Sequence, residues 1–370
     1  MPTRRTVLAM LSAGLAGCSL GGEDNGPRTG TDRPPSPTPP GATSYWYTRP
    51  EVTGNRTLPG AGAIDAAEPV TFEPEGGPQW LVAHPGPSGS FWTVVTTDGR
   101  ATRWRVRDGE ADRVAEYGSL PAGARPVVAT GEGVGDGRYA LFTDTTDRYA
   151  HGALGDTTEG QTLTVLDPAG PTVDWQTTVG PDDVFEGLGP LVADFDGDGD
   201  PEIVTTVANA AEGARIAVFS TAGDRLATGP VHSSGWRHQL NVAPLGPEGR
   251  PELAVVRKPH VDRVLEFYRL EGGSLEIVAT QGDFSTHTYG SRITDGALAA
   301  DLDGDGRTEV LAPRSRRDSL GAVRRTADGA RVAWQLTVDG QIGSNVTGVA
   351  LDDGLAVGVG TAETVTVWQG

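Results

Sequence analysis

Two nine-residue stretches carry residue types at a spacing suited to a hard cation. In DFDGDGDPE, Asp194, Asp196, Asp198 and Glu202 stand at positions 1, 3, 5 and 9, with Gly199 after the third aspartate. DLDGDGRTE repeats the arrangement with Asp301, Asp303, Asp305 and Glu309, with Gly306 in the same place. Carboxylate oxygens at alternating positions, and a glycine that allows a sharp turn, are what Ca2+ requires. The backbone carbonyl of position 7, Asp200 or Arg307, stands where it could add a ligand. Without a cation these carboxylates would repel one another and raise their own pKa values. Two Ca2+ sites are therefore expected, Mg2+ being the alternative that demands stricter octahedral geometry. An EF-hand is excluded, because position 12 holds Thr205 and Ala312 rather than glutamate and the neighbouring residues, IVTTV and VLAP, favour strands. Each ligand set would come from one hairpin and saturate its ion, with no base or nucleophile converging on it. The metal is thus expected to be structural.

The elements that hold these loops form a repeat. LVADFDGDGDPEIV (191–204) aligns with LVAHPGPSGSFWTV (81–94), NVAPLGPEGRPELA (241–254) and LAADLDGDGRTEVL (298–311), and with gaps to residues 127–142 and 348–359. The copies recur at intervals of roughly 45 to 65 residues, a period that fits propeller blades. Each has an apolar strand, a Gly/Asp loop, a second strand such as PELAVV, a third such as RVLEFYRLEGG and a fourth such as RVAWQLTVDG. Four antiparallel strands per repeat predict an all-β chain, a β-propeller of six blades. The last copy lacks a fourth strand, which AEPVTFEPE (67–75) could supply to close the ring. Residues 45–66 leave room for a seventh blade, and two small β domains find no boundary between residue 79 and the C-terminus.

With these loops the chain resembles the FG-GAP or VCBS repeats of integrin-like β-propellers, over roughly residues 79–370. The resemblance implies one Ca2+ at Asp194, Asp196, Asp198 and Glu202 and another at Asp301, Asp303, Asp305 and Glu309. Other copies depart from the pattern. His84, Gly86 and Ser88 replace the aspartates in the first copy, and Pro244, Gly246 and Glu248 in the fourth, so those loops are expected to be metal-free.

Antiparallel alternation puts the acidic hairpins on one face. The loops between second and third strands, and the links between repeats, fall on the other. That second face collects Arg257, Lys258, His260 and Arg263 from RKPHVDR, and Arg314, Arg316 and Arg317 from PRSRRDS. HSSGWRH adds His232, Trp236, Arg237 and His238, STHTYGSR adds His287, Tyr289 and Arg292, and His151 lies in the long second-repeat loop. Cationic, imidazole and aromatic groups together make a candidate site for an anionic or carbohydrate ligand. Arginines paired with nearby carboxylates, and rings packed between blades, are the structural alternative.

Net charge is −19, which argues against nucleic acid as a partner. Lys258 is the only lysine, and this acidic, lysine-poor composition is similar to that of proteins from halophilic archaea. TRRTVL (3–8) resembles a twin-arginine export signal, and LAGC ends in Cys18, the only cysteine, as a lipobox does. Residues 1–17 are accordingly expected to be a signal peptide. Residues 18–44 would be a lipidated Pro/Gly-rich tether, and 45–370 the propeller, anchored to the outer face of the cytoplasmic membrane. Asn55 and Asn345 fit N-glycosylation triplets. No nucleophile elbow, zinc motif or phosphate loop is present. The expected function is a recognition or scaffold module at the cell surface that binds a glycan or a surface protein. An extracytoplasmic enzyme, quinoprotein-like or polysaccharide lyase-like, is the alternative.

Overall fold

A computed structural model describes residues 56–120, 125, 139–149, 151–167 and 172–370. The signal peptide, Cys18, the tether, Asn55 and most of the first strand of the second repeat lie outside the described residues.

Strand β1 (Thr57–Ala61) and a 3-10 turn (Ile64–Ala66) precede β2 (Val70–Phe72). The first repeat follows as β3 (Pro78–Gly86), β4 (Gly89–Thr96), β5 (Arg100–Arg107) and β6 (Glu110–Ser119). The second has β7 (Tyr139–Thr146), β8 (Glu159–Asp167) and β9 (Thr172–Thr178), and the third β10 (Asp183–Ala193), β11 (Glu202–Asn209), β12 (Gly213–Ser220) and β13 (Arg225–Thr228). The fourth is β14 (Arg237–Ala243), β15 (Glu252–Arg257), β16 (Val264–Glu271) and β17 (Ser274–Gly282). The fifth is β18 (Leu298–Asp301), β19 (Glu309–Pro313), β20 (Ser319–Thr326) and β21 (Gly329–Thr337), and the sixth β22 (Thr347–Leu351), β23 (Gly354–Gly360) and β24 (Val365–Gln369).

Each repeat is an antiparallel meander of neighbours in sequence, and the second and third join through one residue pair, Phe185↔Gly160. β2 runs antiparallel to β24, pairing Val70 with Val367, and gives the sixth repeat its fourth strand. β1 departs from the expected pattern. It pairs parallel with β18, Thr57 opposite Ala299, so this part of residues 45–66 extends an existing sheet instead of starting a further blade. Five residues containing Pro59 cannot form a sheet alone, and a proline is tolerated at an edge because it offers no N–H to a ladder. The Arg56 guanidinium holds the strand in place, donating to Thr347 Oγ1 at 2.9 Å and Asp295 Oδ2 at 2.8 Å.

Alternation along the strands builds the core between sheets. Phe142, Leu163 and Val165 pack on Phe185, Ile203 and Val207; Leu191, Val204 and Val218 pack on Leu253, Val255 and Tyr268. Leu240, Val256 and Phe267 meet Ala299, Val310 and Val323, and Leu298, Leu311 and Leu320 meet Leu355, Val357 and Trp368. Val365 and Val367 in turn meet Leu81, Trp92 and Val94. From the second repeat onward each sheet packs on the next, and the sixth packs on the first, a propeller-like arrangement. Asn345 is fully buried at that last junction, where its amide exchanges hydrogen bonds with the Leu81 backbone at 2.8 and 2.9 Å. It is a structural tie and is not available as a sugar acceptor.

Candidate functional site

The acidic stretches form strand–loop–strand hairpins. Ala193 pairs with Glu202 and Ala300 with Glu309, closing each loop at its ninth position. The second residue of each loop, Phe195 or Leu302, is buried and pins the loop to the core, and its N–H donates to Glu202 Oε2 at 2.7 Å or Glu309 Oε2 at 3.1 Å. Gly199 (φ 97°) and Gly306 (φ 85°) take the left-handed conformation the turn requires. Their N–H groups donate back to the first aspartate, Asp194 Oδ2 at 3.2 Å and Asp301 Oδ2 at 2.9 Å. Ligand atoms of Asp194, Asp196 and Glu202 lie within 4.8 Å of one another, as do those of Asp301, Asp303 and Glu309. Asp198 and Asp305 stand outside these sets. They accept from the N–H groups of Asp200 and Arg307 at 2.8 and 3.1 Å.

The two loops differ in what faces them. Arg324, on the third strand of the fifth sheet, reaches Asp303 Oδ2 at 2.6 Å, Asp305 Oδ2 at 2.8 Å and Glu309 Oε1 at 2.5 Å. Trp334 Nε1 also donates to Asp303 at 3.2 Å. Asp301 Oδ1 and Asp303 Oδ1 are buried without a hydrogen-bond partner, the state of oxygens that fit a cation. At the first loop, Ser220 occupies the position paired with Glu202, and among the described residues no basic side chain pairs with any of the five acids. Burial pushes the Glu202 carboxyl up and raises Glu309 to about 7, although Arg324 opposes the latter. The fourth repeat shows a further variant. Its loop lacks the aspartates, and the fully buried Glu252 binds Arg269 at 2.6 Å and Arg325 at 2.7 Å. The candidate ligands of each loop come from one hairpin, as expected of the sequence, while the counter-charge Arg324 comes from β20.

On the opposite face the structure brings together Trp236, His238, His260, His287 and Tyr289. Trp236 stacks on His238 with ring centroids 4.4 Å apart and meets His287 edge-on at 5.0 Å. His260 lies 5.1 Å from His287 and 5.4 Å from Tyr289, and His260 Nε2 is 3.1 Å from His287 Nδ1. His238 contacts Thr286 Oγ1 at 2.8 Å and the Thr294 carbonyl at 2.6 Å; His287 Nε2 donates to the Ser291 carbonyl at 2.9 Å. Burial drives His238 down to about 4 and His287 to about 3, so both are neutral at ordinary pH. Tyr289 is 64 % exposed, so the cluster opens onto solvent through this ring.

The cations expected on this face are mostly engaged. Arg257 pairs with Asp262 (3.0 Å) and Glu266 (2.7 Å), Arg314 with Asp283 (2.5 Å), Arg316 with Asp318 (3.1 Å), and Arg292 with Asp156. Arg317 donates to the Ile342 carbonyl, and Lys258 Nζ to Ser233 Oγ at 2.9 Å. Arg263 is exposed and only 3.5 Å from the His260 carbonyl. His232 is exposed and outside the ring cluster, whereas Arg237 is fully buried and donates to the Ala214 carbonyl at 2.9 Å.

Sequence reasoning missed two buried glutamates beside the cluster. Glu186 accepts from His151 Nδ1 at 2.5 Å, and burial pushes the nearby Glu159 up to about 8. The signal for Glu186 was present as the single acid in VFEGLG, residues 184–189. The second-repeat loop also packs its Ala153 and Leu154 against Trp236.

No family model matches the chain, and no curated protein matches it in sequence. Among solved structures it is similar to a crystal structure of BBS1N in complex with ARL6DN, soaked with lead. The TM-score is 0.48 at 11 % identity, covering 81 % of this chain and 97 % of that one.

Proposed function

We propose that this chain is a non-catalytic recognition module: a six-bladed propeller of the FG-GAP/VCBS kind, closed through β2 and stiffened by Ca2+ at its acidic hairpins. Lipid on Cys18 holds it at the outer face of the cytoplasmic membrane after export. Its ligand is a glycan or a surface protein, met by the face that carries His260, His287 and Tyr289. In the acidic hairpins, Asp194, Asp196 and Glu202, and Asp301, Asp303 and Glu309, would hold the ion, which supplies charge neutralisation and no reaction step.

The observation that carries the recognition reading is the ring cluster. Packed, neutral rings present an exposed tyrosine from a fixed base, which suits stacking on a sugar or docking into a protein surface. The arginines around it are largely neutralised by their own carboxylates, so the ring cluster, more than net positive charge, carries recognition. Binding of the calcium-loaded protein to a glycan array and to cell-surface protein tests this. Tyr289→Ala and His260→Ala are expected to weaken the interaction, and unchanged binding by both variants would remove the reading.

The alternative, an extracytoplasmic enzyme, draws support from the buried Glu159 and Glu186 and the half-buried His151, since perturbed acids gather at catalytic sites. Turnover of a sugar or alcohol with added quinone, abolished by Glu186→Gln, would favour it.

A further inference from the structure

Three buried glutamates occupy the same place in successive repeats, each at the start of a second strand. Glu202, Glu252 and Glu309 are 4 %, 0 % and 0 % exposed. The antiparallel ladder places one residue of the third strand opposite each: Ser220 beside Glu202 and Arg324 beside Glu309. Leu253 pairs with Tyr268, so the same ladder puts Arg269 beside Glu252. A buried carboxylate needs a positive partner or a proton. In the fourth repeat the partner is protein throughout, since its loop carries Pro244, Gly246 and Glu248 and its glutamate is satisfied by Arg269 and Arg325. An arginine at this register therefore satisfies the glutamate where no aspartate remains.

The fifth repeat combines both features, an aspartate loop and the arginine. We infer that Arg324 is a built-in cation that holds the Asp301–Glu309 loop assembled without a divalent ion, leaving the Asp194–Glu202 loop, with Ser220 at that register, as the one that depends on calcium. The inference rests on the calcium reading only for the first loop. The guanidinium takes one oxygen each from Asp303, Asp305 and Glu309 and is itself 9 % exposed, so it is fixed inside the loop and not lying across it. Planar, bidentate geometry suits it to bridge several carboxylates at once. Asp301 Oδ1 and Asp303 Oδ1 stay unpartnered, so the fifth-repeat loop can still take an ion. What Arg324 removes is the need for one. In the third repeat no described residue substitutes: five acids, with no basic partner among the described residues, leave the loop to repel itself when the ion is withdrawn.

Hydrogen exchange read by mass spectrometry on the whole protein, in calcium and in chelator, tests both halves. In the wild type, chelation is expected to speed exchange about tenfold or more across residues 194–202 and to leave residues 301–309 unchanged. Arg324→Ser should loosen residues 301–309 in chelator. Ser220→Arg, a change at a partly exposed position, should protect residues 194–202 from chelation even if the first variant folds poorly. The inference is overturned if chelator loosens both wild-type loops equally, or if Arg324→Ser leaves residues 301–309 as protected as before. Equal protection of residues 194–202 with and without calcium would overturn the first-loop half and the calcium reading with it. The role of Arg324 would still be decided by its own variant.

Discussion

The loops that begin at Asp194 and Asp301 share a sequence pattern, a hairpin and a buried closing glutamate, yet they balance charge by different means. One meets a serine across the ladder and gathers five acids with no basic partner among the described residues; the other meets Arg324, which bonds three of its carboxylates. The fourth repeat extends the series, with two arginines on Glu252 and no aspartates at all. What decides whether such a loop needs an ion is therefore the third strand of the sheet, and the loop's own residues are not sufficient to tell. A glutamate whose counter-charge is covalently part of the chain has it at every calcium concentration.

The sharpest break of that comparison is Glu252→Ala. It would strand Arg269 and Arg325 at the junction of the fourth and fifth sheets, where the Arg325 side chain is 3 % exposed. Removing one partner of a buried ion pair costs about 3–5 kcal/mol. Urea unfolding should show that loss equally with calcium and with chelator; a loss that calcium repairs would mean that this repeat also uses an ion.

Next in size is withdrawal of calcium from the wild type. An ion that binds only the folded state stabilises by mass action, about 2.7 kcal/mol at a hundredfold excess over its Kd. Chelation should lower Tm accordingly, and Ser220→Arg should flatten most of the response. A Tm that ignores chelator in the wild type would place the first loop with the self-sufficient ones.

The strand grammar and the acidic loops are legible in the sequence because both are local. Alternating apolar residues mark strands, and DxDGDG spells out its own turn. The counter-charges are not legible. Ser220 lies eighteen residues after Glu202, Arg269 seventeen after Glu252 and Arg324 fifteen after Glu309, so their equivalence is hidden until the ladder sets them side by side. The opposite face shows the same division. His260, His287 and Tyr289 can be gathered from loop positions, but the carboxylates that neutralise Arg314 and Arg292 come from Asp283 and Asp156. Asp156 is brought there by a loop of a distant repeat. The place of β1 is hidden for a related reason, as nothing in TLPGA shows that its partner is Leu298–Asp301.

Glu159 offers a third route to balance on the other face, where burial holds its carboxyl protonated up to about pH 8 and its hydrogen bond comes from the Gly187 N–H at 3.2 Å. In the unfolded chain its pKa is near 4.5, so the folded state keeps a proton that the unfolded state releases. The stability linked to that proton is complete below about pH 4.5 and is lost as pH rises through 8. Glu159→Gln keeps the acceptor and removes the titration. The variant should exceed wild type by roughly 2–3 kcal/mol at pH 7, since each pH unit above the unfolded pKa costs the wild type at most about 1.4 kcal/mol. The two should converge near pH 5. A constant difference across that range would mean that Glu159 is ionised in the fold, with a counter-charge like the other glutamates.

The smallest effect is expected at Arg316, which forms the same kind of ion pair as Arg324 in a different setting. Its partner Asp318 lies 3.1 Å away, but the two side chains are 85 % and 41 % exposed. Water already solvates both charges there, so the pair contributes about 0–1 kcal/mol and is screened by salt. Arg316→Ala should leave urea stability within about 0.5 kcal/mol of wild type, with or without calcium. The same variant also probes the ligand face. If recognition works through the ring cluster, Arg316→Ala binds as wild type does while Tyr289→Ala does not. If Arg316→Ala instead loses binding and its loss grows as salt is lowered, positive charge carries recognition, and the neutralising carboxylates on that face must yield to the ligand when it docks.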